Sequence, residues 1–169
     1  MSHIKQQLEQ FYAKEDPWGF KTNSDDLKRK NIIIQKSKLY CKQKLGQEIY
    51  QNALELGAGE GWITKDLPAK NVYGYEISDL ARSRWPTNVK QFNPSIKYDL
   101  IIAPGVLYKQ YDYTTFLNMI REYSSGIVMT ISIKDWEINN LKNQVFEMEF
   151  AYRQYVEKLR IFNAKDGAL

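Results

Sequence analysis

The chain has 169 residues, 43% of them apolar and 26% charged, with a net charge of +4; that is the make-up of one ordinary globular domain around one core. No run approaches the roughly 18 uninterrupted apolar residues of a membrane span. A single cysteine, Cys41, excludes an internal disulfide framework, and together with a single histidine, His3, it leaves no metal site in prospect. One histidine at position 3 also excludes Ser-His-Asp and Cys-His hydrolases, so any chemistry runs without imidazole and favours a borrowed cofactor over a protein nucleophile.

Residues 1–15 are predicted helical, with Ile4, Leu8, Phe11 and Tyr12 on one side. The first residues carry no apolar h-region and no small-residue cleavage site, so the expected location is cytoplasmic. Asp16-Pro17-Trp18-Gly19 interrupts the helix, proline disfavouring it at the preceding residue. A second helix is expected over about 25–45, N-capped by Ser24 or Asp25 and ending at Gly46. It carries Lys28, Arg29, Lys30, Lys36, Lys38, Lys42 and Lys44 with no acid among them. Such a stripe can be a phosphate footprint. Without interleaved aromatics, and with Ile33, Ile34, Leu39, Cys41 and Leu45 as its apolar side, it reads as a solvated helix face.

The pattern then changes to strands and helices in alternation. Strands are expected at 52–56, 72–77, 98–103 and 126–133, with a helical stretch from about Trp62, a short helix at 78–84 capped by Ser78, and a helix at 112–123. Residues 145–150 and 157–162 alternate with period two and form an antiparallel hairpin. The fold class is therefore α/β, a doubly wound, Rossmann-like, mostly parallel sheet with a C-terminal antiparallel hairpin. No linker or repeat divides the chain, so a single domain over 1–169 is expected, with a helical lid region at 1–45 and a core at 50–163.

Leu54-Glu55-Leu56-Gly57-Ala58-Gly59-Glu60-Gly61-Trp62 is the most informative segment. Three alternate glycines after a buried strand let the backbone turn sharply and approach a ligand. A dinucleotide fold would carry G-x-G-x-x-G; here the spacing is G-x-G-x-G, and Glu55 lies in the strand, where it would repel a phosphate and attract an ammonium or sulfonium. Glu76, at the end of the next strand, suits hydrogen bonding to the two hydroxyls of a ribose. A cationic, ribose-bearing ligand without phosphate is S-adenosylmethionine.

On these residues the sequence resembles the class I S-adenosylmethionine-dependent methyltransferases, from about Phe11 to Asn163. E-L-G-A-G-E-G at 55–61 is similar to that family's first motif and Y-G-Y-E-I-S at 73–78 to its second. D-P-W-G at 16–19, V-L-Y at 106–108 and L-R-I-F at 159–162 are most similar to small NodS-like enzymes. The resemblance implies a seven-stranded sheet and a cofactor site of Tyr12, Trp18, Glu55, Gly57, Gly59, Gly61, Trp62, Glu76, Ile77, Asn93, Pro104 and Gly105, with S-adenosylhomocysteine as product. Two departures stand out. The third strand offers Asn93 where the family commonly has an Asp for the adenine, and Pro104-Gly105 replaces the acid that usually precedes V-L-Y, leaving any base unidentified. The chain stops just after the last strand, so no C-terminal substrate domain is expected.

The expected function is methyl transfer to a small polar acceptor, by analogy a sugar or amino sugar, methylated on oxygen or nitrogen. Its pocket is expected over 104–108 and 110–112, with Tyr108 and Asp112 four apart on a helical turn and orienting the acceptor. Neither nucleic acid nor membrane is the expected partner. Two other readings stay open: an RNA or protein methyltransferase docking through the basic helix, and a catalytically silent module that binds S-adenosylmethionine.

Overall fold

In the computed structural model, residues 2–169 are described, with the Asp166 side chain set aside, so Met1 of the expected first helix lies outside the described residues. Helix α1 spans His3–Phe11, N-capped by the Ser2 hydroxyl. It is shorter than the predicted 1–15, because residues 12–15 already turn toward Asp16-Pro17. Helix α2 spans Ser24–Tyr40, and the Asn23 side chain, not Ser24 or Asp25, accepts the capping bond from the Asp25 amide. Its last turn widens into a π-helical Cys41–Leu45 and ends on Gly46 at φ 67°, the left-handed stop that glycine permits.

Seven strands follow: β1 Tyr50–Leu56, β2 Ala69–Tyr75, β3 Val89–Gln91, β4 Tyr98–Pro104, β5 Ser124–Ile133, β6 Gln144–Tyr152 and β7 Tyr155–Asn163. Helix α3 (Asp79–Ser83) is capped by Ser78 as expected, and α4 spans Tyr113–Tyr123. The sheet order is β3-β2-β1-β4-β5-β7-β6. The first five strands pair in parallel, and β7 runs antiparallel to both β5 and β6. This bears out the doubly wound sheet with its closing hairpin.

One expected element is absent. The helical stretch after the glycines is a single 3₁₀ turn, Thr64–Asp66. Only six residues separate Gly61 from Pro68, and proline bars helix at Leu67, so the chain returns to the sheet after one turn.

The apolar strands bury both faces of the sheet. Ile33, Tyr40 and Cys41 from α2 and its π turn pack on Leu100, Ile102, Met129, Leu159 and Ile161. Leu117, Met119 and Ile120 from α4 cover Leu54, Ile101 and Val128 on the other side. Both layers leave open the edge where β1, β2, β4 and β5 end and β7 begins. Among the described residues no helix is long and apolar enough to cross a membrane, and no group of His, Cys, Asp and Glu is arranged to hold a metal ion.

Candidate functional site

At the carboxyl edge, β1 ends in a loop held open by backbone geometry. Gly57, Gly59 and Gly61 have φ of 70°, 53° and 78°, values an L side chain rarely adopts. A Cβ on Gly57 would lie 2.4 Å from Val106 Cγ1, and one on Gly59 would lie 2.8 Å from the Tyr12 hydroxyl. The loop is tied to the end of β2: the Gly57 and Ala58 amides donate to the Tyr75 carbonyl at 2.8 and 3.1 Å, and the Gly59 amide donates to Glu76 Oε2 at 2.9 Å. The Ser78 amide donates to Glu76 Oε1 at 2.9 Å, and Arg82 donates to the Glu76 carbonyl. Burial pushes the Glu76 carboxyl up, against the amides that favour its charge. The Ile77 amide also favours its charge; with two lone pairs on each carboxylate oxygen, capacity remains for a further donor.

Glu55 is sealed beneath this loop, 3% exposed. Burial raises it to about 8, against the Thr64 hydroxyl at 2.5 Å, the charge of Arg29 and the Thr64 amide. A cation placed beside it would restore the charged form.

The N-terminal segment covers the loop. The Asp16 amide donates to the Glu60 carboxylate at 3.0 Å, and Arg84 ion-pairs with that same group at 2.6 Å. Trp18 Nε1 donates to the buried Tyr12 hydroxyl at 3.2 Å, while the Trp18 ring lies against Phe11. Glu9 accepts from the Asp79 and Leu80 amides, fastening α1 to the start of α3. A cleft of about 200 Å³ remains between arm and loop, lined among others by Tyr12, Trp18, Glu60, Trp62 and Arg84. A second, of about 290 Å³, runs past Gly74, Glu76, Ile77, Gln91 and Phe92.

The remaining predicted residues divide. Trp62 lies under the Lys30 ammonium, 4.0 Å from its ring centroid. Pro104 closes β4, and Gly105 turns at φ 73° with its amide on the Ile131 carbonyl. Asn93 caps its own turn, its Oδ1 accepting from the Ser95 amide at 2.9 Å, and does not line the second cleft. Tyr108 is buried, its hydroxyl accepting from the Ile133 amide at 2.6 Å. The shared helical face expected for Tyr108 and Asp112 is not formed: residues 106–112 are irregular. Asp112 is instead the N-cap of α4, exposed and occupied by the Thr115 amide and hydroxyl, the ordinary use of an Asp before a helix.

The basic stripe also divides. Lys28, Lys38, Lys42 and Lys44 are solvated as expected, but Arg29 and Lys30 are buried. Lys30 donates to Asp66 and the Trp62 carbonyl. Arg29 Nε donates to Glu157 Oε2 at 2.7 Å, with 9% and 2% of the two side chains exposed. Its guanidinium stands 4.9 Å over the Tyr152 ring, and its Nη2 is 3.4 Å from where a Cβ on Gly105 would sit. Burial opposes the charge of each partner, and the pairing counters it; Arg29 ends above and Glu157 also above its ordinary value. Nearby, Asp26 accepts from Tyr152 at 2.5 Å and from Arg153 at 2.6 Å. The sequence reading missed Asp26, Arg29 and Glu157. The available signals were a lone arginine in a lysine run, whose planar fork suits a buried pair, and an acid on the inward face of the last strand.

No protein-family model and no curated protein matches the sequence. Solved structures match its fold. The N-methyltransferase NodS from Bradyrhizobium japonicum WM9, in complex with S-adenosylhomocysteine, superposes with a TM-score of 0.75 at 19% identity, over 96% of this chain and 98% of that one. The CurJ carbon methyltransferase gives 0.64 at 12%, over 94% and 60%. The plantazolicin methyltransferase BpumL, with a triazolic desmethylPZN analog and S-adenosylhomocysteine, gives 0.55 at 15%, over 77% and 58%. The fold resembled from sequence, that of the class I methyltransferases with NodS-like enzymes among them, is the fold observed.

Proposed function

We propose that the chain is an S-adenosylmethionine-dependent methyltransferase acting on a small polar acceptor, a sugar or amino sugar. The observation that carries this reading is the pair of buried acids around one glycine cradle. Glu55 lies beneath the loop, bonded by the Thr64 hydroxyl and pushed up by burial, so a cation held over the loop would draw it toward its charged form. Glu76 faces a cleft with acceptor capacity left for a ribose hydroxyl. In this reading Gly57, Gly59 and Gly61 give the methionine part close approach, Ile77 and Phe92 flank the adenine, and Tyr12 and Trp18 close over the loop. The donor would supply a methyl group on a cationic sulfur; the protein's part is to hold the acceptor in line with it and exclude water. Superposition on structures that hold S-adenosylhomocysteine supports the same ligand class.

Arg29 and Lys30 are themselves buried and ion-paired, with Glu157 and Asp66, which removes two cations from the surface a polyanion would meet. That favours a small acceptor over RNA. Calorimetry with S-adenosylmethionine and S-adenosylhomocysteine tests the cofactor: micromolar-range binding is expected, and no heat with either ligand overturns the reading. A mass-read turnover screen over sugars, amino sugars, nucleotides and amines tests the acceptor. Binding without product above background in any acceptor would leave a silent module instead.

A further inference from the structure

The second cleft carries a hydrogen-bonding side chain that the ribose and glycine contacts leave unused. β3 pairs with β2 so that Gln91 lies level with Gly74, and the Phe92 amide donates to the Gly74 carbonyl at 2.9 Å. Glu76 follows two residues after Gly74, about 7 Å further in the strand direction. Gln91 is exposed and lines the cleft together with Glu76, Ile77 and Phe92. The cations at the same rim are engaged elsewhere: Lys5 pairs with Asp79 at 3.0 Å, and Arg82 is bonded to Asp79 and to the Glu76 carbonyl. Asn93 is held in its own turn, its backbone amide donating to the Tyr98 hydroxyl and its Oδ1 accepting from the Ser95 amide. A base reaching past the ribose acid therefore meets apolar Ile77 and Phe92 on its flanks and the neutral Gln91 amide at its edge.

Resting on the S-adenosylmethionine reading above, we propose that Gln91 reads the cofactor's base at the edge farthest from the sugar, and that it takes hypoxanthine there as well as adenine. A primary amide carries a carbonyl acceptor and an NH₂ donor side by side. The far edge of adenine presents N6–H as donor beside N1 as acceptor, so one amide meets both, as glutamine does with the neighbouring N6 and N7 of adenine in DNA. Hypoxanthine presents the same two positions with the roles exchanged: O6 accepts and N1–H donates. Turning the Gln91 amide by half a revolution about its last torsion, which is broad and roughly two-fold, restores both bonds. The exposed position of Gln91 leaves room for that turn. A carboxylate in its place could only accept, and a backbone N–H and C=O pair has a fixed order. Neither could satisfy both bases.

The test uses the full chain and three ligands titrated calorimetrically. They are S-adenosylhomocysteine, S-inosylhomocysteine with hypoxanthine as its base, and the purine riboside analogue in which hydrogen replaces the amino group. Wild type should bind the first two within about fivefold of each other and the third at least about threefold more weakly than the first, the size of one lost hydrogen bond. In Gln91→Leu, S-adenosylhomocysteine should bind about fivefold or more weakly than to wild type, and the three ligands should bind alike. Thermal unfolding without ligand shows whether the variant is folded, and Gln91→Ala gives the same readout should leucine disturb β3. A penalty above about fivefold for the hypoxanthine ligand in wild type overturns the proposal. So does a purine analogue that wild type binds as tightly as S-adenosylhomocysteine, or a preference for adenine over purine that persists in the variant. Failure of S-adenosylhomocysteine to bind wild type overturns the methyltransferase reading itself and is seen before either analogue is added.

Discussion

Glu55 should make the protein less stable as pH rises through neutrality. Its carboxyl lies at about 8 in the fold against 4.5 as a free side chain. Between those values the folded state keeps a proton that the unfolded chain has released, so stability is greatest below about 4.5 and declines until about 8, where both states are ionised. At pH 7 the interval is about 2.5 pH units, and at about 1.4 kcal/mol per unit the loss is about 3–4 kcal/mol. Glu55→Gln keeps the shape and an acceptor for the Thr64 hydroxyl but cannot ionise. Urea unfolding of both proteins between pH 5 and 9 is the assay. The amide adds a constant offset, whereas the difference between the two curves should grow with pH up to about 8 and then level off. Curves that stay parallel across the range would refute the reasoning, since Glu55 would then titrate alike in both states. Binding should report the same group: if a cation docks beside Glu55, S-adenosylmethionine should release about one proton at pH 7, measured as a dependence of calorimetric heat on buffer.

Three further outcomes are expected. Glu76→Ala should weaken S-adenosylhomocysteine binding by about 1–3 kcal/mol, the size of lost charge-assisted bonds; equal affinity by calorimetry would move the ribose elsewhere. Gly57→Ala meets Val106 Cγ1 at 2.4 Å with φ at 70°, so it should destabilise by about 1–3 kcal/mol in thermal or urea unfolding, and adding Val106→Ala should recover only the clash and not the backbone strain. Amide hydrogen exchange over residues 8–24 should slow when cofactor binds, because Asp16, Tyr12 and Trp18 are fastened to the glycine loop and its neighbours; unchanged protection would make Trp18 part of the packing alone.

Strands and hairpin were legible in the sequence because burial writes itself there. Leu100-Ile101-Ile102-Ala103 is apolar throughout, as a strand covered on both faces must be. Residues 157–162 alternate because one face of β7 meets α2. The sharp turn at the glycines was legible as well, since positive φ at Gly57, Gly59 and Gly61 is a demand local to the chain. Asp112 misled because an Asp four residues after a Tyr fits a helical face and an N-cap equally well, and the irregular backbone at 106–112 decides between them. Arg29 and Glu157 were illegible for a different reason. They stand 128 residues apart, and only the return of β7 alongside β5 brings them together. In sequence, Arg29 is one of seven cations on a helix, and nothing local says which of them turns inward.

The missing helix after the glycine loop bears on which ligand the cradle can take. Glycine-rich loops that hold phosphate do so at the first turn of a long helix, where aligned peptide dipoles and free amides present positive charge. Here the loop leads into one 3₁₀ turn, too short to build that field. The amides that are free to point inward do not wait for an anion either: the Gly59 amide donates to Glu76, and those of Gly57 and Ala58 to the Tyr75 carbonyl. Around them stand Glu55, Glu60 and Glu76, of which Glu60 alone is ion-paired, with Arg84. A diphosphate would meet two buried acids and no compensating dipole. A ligand that brings a positive sulfur and hydroxyl donors meets the same acids as partners. The absence of that helix therefore argues against a diphosphate, on the same side as the acids.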